Sequence, residues 1–446
     1  MPATKFSIRN YTAIIAILTV LVMTVLDVTL VNVALPVMAA RFHTSNAATV
    51  WIVTIYQLAI TMLILPLSSI GDLHSYRRNF LTGVVIFTLS SALCASARGL
   101  TMILIARALQ GIGAACVMSV NIALTRLIYP REILGRGLAL NAMVIAIATA
   151  AGPTIAGAIL SVASWHWLFL INVPFGIMAF FIGRRLLPQN PPHDKKGKFD
   201  FISAIENMIT FGLLFYSLGS FARNDAGLTR NLILLAAALI TGFFYIRREL
   251  HKPAPMLPVD LFRIRLYSLS IGTSVCSFIA QNLAMIALPF LYLECYGFSE
   301  ITTGFLMTPW PLATMLTAPL AARFVERHNP GATAAAGMAI YACGILLLLL
   351  LPTTGANAFD IAWRMAVCGI GFGMFQTPNG IVMVLATPVH RTGSAGGMQS
   401  TARLVGQTFG ATAVTLFFAV TTGTLLSVRT CLWVAIGIAL TAGLLS

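Results

Sequence analysis

The chain is built of long apolar runs separated by short polar segments. About 20 apolar residues are needed to cross a bilayer as a helix. The runs therefore predict about fourteen membrane spans, at residues 12–35, 48–70, 79–97, 100–122, 137–160, 165–187, 201–221, 230–249, 268–293, 301–323, 332–351, 360–385, 396–420 and 430–446. Two longer polar segments, 188–200 and 247–265, interrupt this series and leave two spans between them. The pattern predicts an all-α polytopic membrane protein whose spans are arranged as six, two and six.

These two interruptions also predict the domain organisation. Residues 1–190 are expected to form an N-terminal six-helix bundle, and residues 256–446 a C-terminal six-helix bundle. Residues 191–255 are expected to hold a cytoplasmic linker and the inserted pair of helices. Because the number of spans is even, both termini are expected on the same side of the membrane.

Composition excludes a soluble globular protein and explains the basic charge. The chain is 58% hydrophobic and only 9% charged, with a mean hydropathy of +0.89. Its net charge of +15 would indicate nucleic-acid binding only if the basic residues were gathered on one soluble face. Instead, 20 of the 28 lysines and arginines fall in the segments on one side of the predicted membrane, 5 on the other and 3 within spans. This asymmetry predicts that both termini are cytoplasmic, and it argues against nucleic acid as a partner.

The motifs of soluble catalysis do not occur in the sequence. The seven cysteines are scattered without a CxxC pair, so neither a disulfide framework nor a metal site is expected. No Walker loop occurs, and the glycine-rich stretch at 369–373 lies inside a predicted span. The sequence therefore predicts a protein that is not an enzyme, uses no cofactor and draws energy from an ion gradient.

Two charges inside predicted spans are candidates for ion coupling. Asp27 lies well inside the first apolar run and Arg107 inside the fourth. At the helical rise of 1.5 Å per residue they lie ~12 Å and ~10 Å from the same predicted outer surface. An acid and a base at matching depth neutralise each other, and a proton on Asp27 would break that pairing. The residues leave open a static ion pair that takes no part in a working cycle.

Five motifs, in five of the first six predicted spans and in chain order, carry a family resemblance. They are LDVTLVNVALP in the first span, WIVTIYQLA at 51–59, ARALQGIGAA at 106–115, AAGPTIAG at 150–157 and SWHWLFLINVPFG at 164–176. Together they resemble the major facilitator superfamily, specifically its 14-span drug:proton antiporter branch. The resemblance covers nearly the whole chain and implies an alternating-access transporter in the cytoplasmic membrane of a bacterium.

The resemblance also implies roles for two of these motifs. In similar proteins the span-4 arginine and its RxxQGxG motif are associated with proton transfer, which points to Arg107 and Gln110. The motif with Gly152, Pro153 and Gly157 is similar to a hinge thought to limit leak. On physical grounds, proline and glycine in one helix also favour a kinked, closely packed seam.

The segment after the second span is a candidate conformational latch. SSIGDLHSYRRN places Asp72 near Arg77 and Arg78 at a cytoplasmic helix end, where acids and arginines can pair across a seam. The sequence departs from the family motif, because serines replace two glycines and Tyr76 replaces a usual basic residue. The alternative is that these residues only flank a membrane span.

Polar and aromatic residues at bilayer depth predict a substrate cavity. The candidates are Asn32, Tyr56, Gln57, Gln110, Gln281, Asn282, Trp310, Gln376, Asn379, Arg403 and Gln407. Some of them are expected to make only helix-to-helix hydrogen bonds. Arg403 is distinctive because it lies inside a span with no clear acid at its depth in the C-terminal bundle. Asn172, in the stretch WHWLFLINVP, is interpreted as part of an interfacial aromatic belt.

These features predict a monomeric, proton-coupled exporter whose partners are protons, the lipid bilayer and a small lipophilic or cationic substrate. A cation is favoured because an ionised Asp27 in an apolar cavity attracts positive charge. One alternative is an exporter of a specific endogenous metabolite, such as an amino acid, a sugar or a siderophore. Another is a non-transporting receptor or scaffold, although the large extramembrane domains typical of that class are lacking.

Overall fold

Regular structure in this computed structural model is helical throughout the described residues. These residues are 8–130, 134–189, 199–223, 227–252, 257, 259–325, 327–352, 356–386 and 392–446. The α-helices are α1 (Ile8–Phe42), α2 (Asn46–Leu73), α3 (Tyr76–Ala95), α4 (Leu100–Ile128), α5 (Leu134–Val162), α6 (His166–Leu170), α7 (Asn172–Leu186), α8 (Phe201–Arg223), α9 (Gly227–Glu249), α10 (Arg265–Phe290), α11 (Glu300–Met307), α12 (Pro309–Val325), α13 (Pro330–Leu349), α14 (Ala358–Leu385), α15 (Thr392–Val420) and α16 (Thr424–Leu445). A 3₁₀ turn at Val259–Arg263 precedes α10, and a π-helical turn at Leu291–Cys295 follows it.

The helices confirm the predicted fold class of about fourteen spans. In the described part of the chain, 13 helical segments are long and apolar enough to cross a membrane. The predicted span at 301–323 is divided into α11 and α12 at Thr308, so neither half reaches that length alone. Pro309 lacks the backbone N–H that would continue the hydrogen-bond ladder, which accounts for the break. The two halves together supply the fourteenth crossing.

Most helices extend beyond their predicted spans. The first span was predicted at 12–35, whereas α1 runs over Ile8–Phe42. The apolar run marks only the part of a helix that lies in the hydrocarbon core of the bilayer. Helical hydrogen bonding continues into the polar residues on either side of it. Serine caps fix two of the starts: Ser45 Oγ accepts from the Ala48 N–H at 3.2 Å, and Ser75 Oγ accepts from the Arg78 N–H at 3.2 Å.

The two ends of the helix array are named here by their turns. The distal side carries the turn between α1 and α2, and the proximal side carries the turn between α2 and α3. The charge asymmetry predicts that the proximal side is cytoplasmic.

The inserted helices lie beside the contact between the N-terminal helices (α1–α7) and the C-terminal helices (α10–α16). Helix α8 packs on both α2 and α15, whereas α9 packs mainly on α8. Asn207 Nδ2 on α8 donates to the Met62 carbonyl on α2 at 2.7 Å, and Phe215 meets Phe409 of α15 with ring centroids 4.8 Å apart. The opposite face of α9 exposes large apolar side chains, as expected of a face toward lipid: Leu232, Ile233, Leu239, Ile240, Phe243 and Phe244. The boundaries at 190 and 255 remain predictions.

An ionic cluster ties the proximal ends of this pair together. The fully buried Glu249 accepts hydrogen bonds from Ser203 Oγ at 2.7 Å, Lys252 Nζ at 2.7 Å and the Leu257 N–H at 3.1 Å. Lys252 also pairs with Asp200. Burial alone would raise the pKa of Asp200, but hydrogen bonds from Lys252 and the Ser203 backbone lower it below its usual value. The cluster joins the start of α8, the end of α9 and the segment that leads to α10.

Candidate functional site

Asp27 and Arg107 form an ion pair inside the N-terminal helices. Arg107 Nη1 donates to Asp27 Oδ2, and both side chains are fully buried. The pair joins α1 to α4. Because a lone charge inside a membrane protein is costly, each side chain stabilises the other in this position.

Three further side chains complete the surroundings of this carboxylate. Gln110 Nε2 donates to Asp27 Oδ1 at 2.8 Å and to Ser91 Oγ at 2.9 Å, while its Oε1 accepts from Arg107 Nη1 at 2.6 Å. Asn172 Nδ2 donates to Asp27 Oδ1 at 3.3 Å. Residues 107 and 110 are one helical turn apart on α4 and therefore share a face. We call these five residues, contributed by α1, α3, α4 and α7, the Asp27 cluster.

Arg107 also connects this cluster to α2. Its Nε donates to the Ile52 carbonyl at 3.0 Å, and its guanidinium lies over the Tyr56 ring, 4.1 Å from the centroid. The Tyr56 hydroxyl donates to the Thr24 carbonyl on α1 at 3.3 Å. Arg107 Nη2 is buried and finds no hydrogen-bond partner in the described part of the chain. The position of α2 is thus held partly by the same guanidinium that neutralises Asp27.

Immediately after Tyr56, α2 meets the C-terminal helices in a polar contact. Asn282 Nδ2 on α10 donates to Gln57 Oε1 at 3.4 Å and to the Gln407 carbonyl on α15 at 2.5 Å. One turn further along α2, the hydroxyls of Thr61 and Thr408 lie 3.1 Å apart. We call these five residues the α2–α10–α15 seam.

The predicted cavity residues differ in whether their polar atoms have hydrogen-bond partners. Asn379 makes only helix-to-helix bonds, since its Nδ2 donates to the Ser270 carbonyl at 3.1 Å and to Ser274 Oγ at 2.7 Å. Others keep a buried polar atom that no group in the described residues satisfies: Asn32 Oδ1, Gln57 Nε2, Trp310 Nε1 and Arg403 Nε. Gln281 and Gln376 are half-buried. Substrate contact remains a prediction for the whole set.

A sequence profile described as Major Facilitator Superfamily matches residues 17–411 of this chain. The chain belongs to the major facilitator superfamily. This confirms the family predicted from the five motifs. It also confirms that the protein is a multi-pass membrane transporter of small molecules rather than an enzyme.

Three curated relatives of this superfamily member span most of the chain. It is 50% identical over 383 residues to "Uncharacterized transporter YebQ" of Escherichia coli (strain K12), which covers 86% of this chain and 83% of that protein. It is 27% identical to "Riboflavin transporter RibZ" of Clostridioides difficile (strain 630), covering 86% and 83%. It is 26% identical to "Multidrug resistance protein Stp" of Mycobacterium tuberculosis, covering 84% and 70%.

The predicted hinge of this superfamily member packs backbone against backbone on the C-terminal helices. A Cβ atom at Gly157 would lie 2.6 Å from the Glu300 carbonyl oxygen at the start of α11, and one at Gly152 would overlap Thr29 of α1. Thr154 and Thr308 hydroxyls lie 2.5 Å apart across the same contact. Gly157 lies near the distal end of α5. Because a Cβ atom there would meet the α11 backbone, only a residue without a side chain allows this approach.

A larger side chain at Gly157 is expected to separate α5 from α11. Gly157→Leu should lower the free energy of unfolding by about 1–3 kcal/mol, since the overpacked backbone contact must shift. The matched control is Gly437→Leu on α16, because nothing lies within 4 Å of a Cβ built at Gly437. Thermal unfolding of the two purified variants in detergent checks this. Equal melting temperatures would show that the α5–α11 contact is not tight.

The predicted latch residues of this superfamily member make contacts within the N-terminal helices. The Tyr76 hydroxyl donates to Asp72 Oδ1 at 2.8 Å, so the residue that replaces a usual basic side chain still supplies a donor. Arg77 Nη2 donates to the Arg184 carbonyl on α7. Arg78 is exposed. A latch function for Asp72, Arg77 and Arg78 stays a prediction.

Sequence reasoning missed two members of the Asp27 cluster. Asn172 was assigned to an aromatic belt, and Ser91 was not singled out. Asn172 lies seven residues into a predicted span that enters from the same side as the span of Arg107, so both lie ~10 Å deep. Matching depth was therefore the signal that could have placed Asn172 beside Asp27.

Proposed function

We propose that this protein is a proton-coupled exporter of small lipophilic compounds in the cytoplasmic membrane of a bacterium. Alternating access moves the N-terminal helices relative to the C-terminal helices, and Asp27 exchanges the proton. The proximal side and both termini face the cytoplasm, a placement that rests on the charge asymmetry. The buried Asp27 cluster is the observation that carries the proposal.

The chemistry of the cluster suits a carboxylate that gains and loses a proton. Among the described residues, the side chains that hydrogen-bond to Asp27 all donate to its carboxylate: Arg107, Gln110 and Asn172. An ionised carboxylate can only accept hydrogen bonds, so these donors match it. Protonation removes the charge that holds Arg107, whose Nη2 already lacks a partner. The guanidinium is then free to adopt a second position, which is what a two-state coupling element requires.

The same arginine provides a physical connection to the seam. Arg107 holds α2 through the Ile52 carbonyl and the Tyr56 ring. The next residue, Gln57, bonds to Asn282 on the C-terminal helices. A change in the pairing of Arg107 therefore acts on the helix that forms the α2–α10–α15 seam.

The distal contacts support a state closed on that side. Asn46 Nδ2 at the start of α2 donates to Glu294 after α10 at 2.9 Å. Thr424 Oγ1 at the start of α16 donates to the same carboxylate at 2.6 Å. With the glycine contact between α5 and α11, the bond from Asn46 to Glu294 joins the two sets of helices at the distal side. In the proposed cycle these contacts break when substrate is released there.

Export of lipophilic compounds is supported by the relative named as a multidrug resistance protein. The cationic part of the prediction depended on Asp27 offering its charge to a substrate. In this conformation Arg107 already neutralises that charge. The proposal therefore specifies lipophilic compounds and does not require a positive charge.

Accumulation assays test the export function. The full chain is expressed in a bacterial host that lacks its own pumps, and a panel of anionic, neutral and cationic lipophilic compounds is supplied. We expect lower accumulation of at least one compound than in cells with empty vector, and equal accumulation once a protonophore collapses the gradient. An effect that survives the protonophore would contradict proton coupling, and no effect on any compound would contradict export.

A single metabolite is the second candidate substrate. Similarity to the relative named as a riboflavin transporter supports it. Adding riboflavin and amino acids to the same panel separates the alternatives. Strong export of one metabolite with no effect on unrelated lipophilic compounds would favour the specific exporter.

A further inference from the structure

Arg403 on α15 is a cation at membrane depth with no counter-ion among the described residues. Its side chain is half-buried, its Nε is buried without a partner, and none of the ion pairs among the described residues includes it. By contrast, Arg107 pairs with Asp27, and Arg364 pairs with Asp360 at 2.8 Å. An unpaired guanidinium in this setting is destabilising, which makes Arg403 a candidate functional residue.

The geometry of α15 directs Arg403 toward the region between α2 and α10. Leu404 packs with apolar residues of α2. Gly406 and Gly410 lie directly against the backbone of α10. Successive helical residues turn by about 100°, so Arg403 and Gln407 fall between these two faces. Arg403 therefore lies one turn, about 6 Å, to the proximal side of the seam residue Gln407.

Two side chains of this region, Gln57 and Arg403, each keep a buried donor that no group in the described residues satisfies. Gln57 Oε1 accepts from Asn282, which fixes the orientation of the amide and leaves Nε2 as the free donor. Arg403 Nε is likewise a buried donor without a partner in the part of the chain that the structure describes. Buried donors without partners are costly, and a ligand that presents negatively charged oxygens would satisfy them.

We propose that Arg403 binds the carboxylate of a lipophilic organic acid, which makes such acids the preferred substrates. This inference rests on the proposed function as an exporter of small lipophilic compounds. The planar guanidinium offers two parallel N–H donors that match the two oxygens of a carboxylate. Gln57 Nε2 supplies a further donor at the seam. Asp27 does not act as the counter-ion of Arg403, because it already pairs with Arg107.

A binding assay without a proton gradient tests the preference. The purified full chain in detergent is titrated with 2-naphthoate, anthracene-9-carboxylate and biphenyl-4-carboxylate, with their methyl esters, and with the corresponding methylamines. Thermal unfolding reports binding. For at least one scaffold we expect the acid to raise the melting temperature at a concentration at least tenfold lower than its ester or amine.

Variants of Arg403 then assign the preference to this residue. Arg403→Gln should remove the advantage of the acid, and Arg403→Lys should retain part of it. Arg265→Gln, at the exposed start of α10, should leave it unchanged. The proposal is overturned if no acid is preferred by the wild type, or if the preference persists in Arg403→Gln. Loss of proton coupling in Asp27 variants would not affect this assay, so the two proposals fail separately.

A ligand-free measurement separates a binding role from a structural one. Arg403→Met should leave the melting temperature of the apo protein unchanged or raise it, because no partner loses a bond. A lower melting temperature would show that Arg403 stabilises the fold and would overturn the proposal.

Discussion

Asp27→Asn is expected to abolish proton-driven export and to leave the protein folded in the membrane. Asparagine has nearly the same shape, and its Oδ1 still accepts from Gln110 and Asn172, whose bonds to Asp27 are 2.8 Å and 3.3 Å. It cannot take up or release a proton. Proton flux on addition of substrate to proteoliposomes should fall to the empty-liposome level, whereas counterflow of substrate without a gradient should persist.

The stability of the same variant decides between an exchanging pair and a static one. Removing one partner of a static buried ion pair costs about 3–5 kcal/mol. If Asp27 becomes neutral in every cycle, the protein already tolerates an uncharged side chain there, so we expect a loss below about 2 kcal/mol. The control is Asp360→Asn, which removes the acid of the distal pair with Arg364 and should leave proton coupling intact. Normal coupling in Asp27→Asn would remove Asp27 from the mechanism.

The sequence predicted the charged centre because depth along a helix can be counted. Asp27 and Arg107 lie at similar distances from the ends of two apolar runs that meet the same surface. The same count applied to Asn172 would have found a third member of the cluster. The motif reading assigned that residue to an aromatic belt instead.

The sequence alone could not predict which helices pack against each other. Apolar periodicity shows that α8 is a membrane helix, but it does not show that Phe215 packs on Phe409 of α15 while Asn207 bonds to α2. These contacts depend on how complete helices pack together. The break between α11 and α12 at Thr308 was also not predicted. The apolar run is continuous there, although Pro309 interrupts the hydrogen-bond ladder.

The Asp27 cluster and the seam are also linked by chain connectivity. Tyr56, under the Arg107 guanidinium, directly precedes Gln57, which accepts from Asn282 across the seam. The proton site and the contact between the two sets of helices thus share one turn of α2. A rigid helix transmits a small displacement at one of these residues to the other.

Arg107→Gln is expected to lower the rate of proton-driven export by at least about tenfold, or 1.4 kcal/mol in activation free energy. The substitution removes the cation that pairs with Asp27, so releasing the proton would leave an unpaired buried charge, and we expect that step to stall. It also removes the bond to the Ile52 carbonyl and the contact with Tyr56 that connect the cluster to α2. Arg107→Lys keeps the charge but cannot bind Asp27 and Ile52 together, and should retain part of the rate.

The double variant Asp27→Asn with Arg107→Gln tests whether the two side chains act as one unit. Asp27→Asn alone leaves a buried guanidinium that cannot lose its charge. Removing Arg107 as well eliminates that charge, so the double variant should unfold at a temperature equal to or above that of Asp27→Asn. Its proton-driven export should equal that of Asp27→Asn, because the acid that exchanges the proton is already absent from that variant. Additive losses in stability would mean that the two residues act independently and that their contact is incidental.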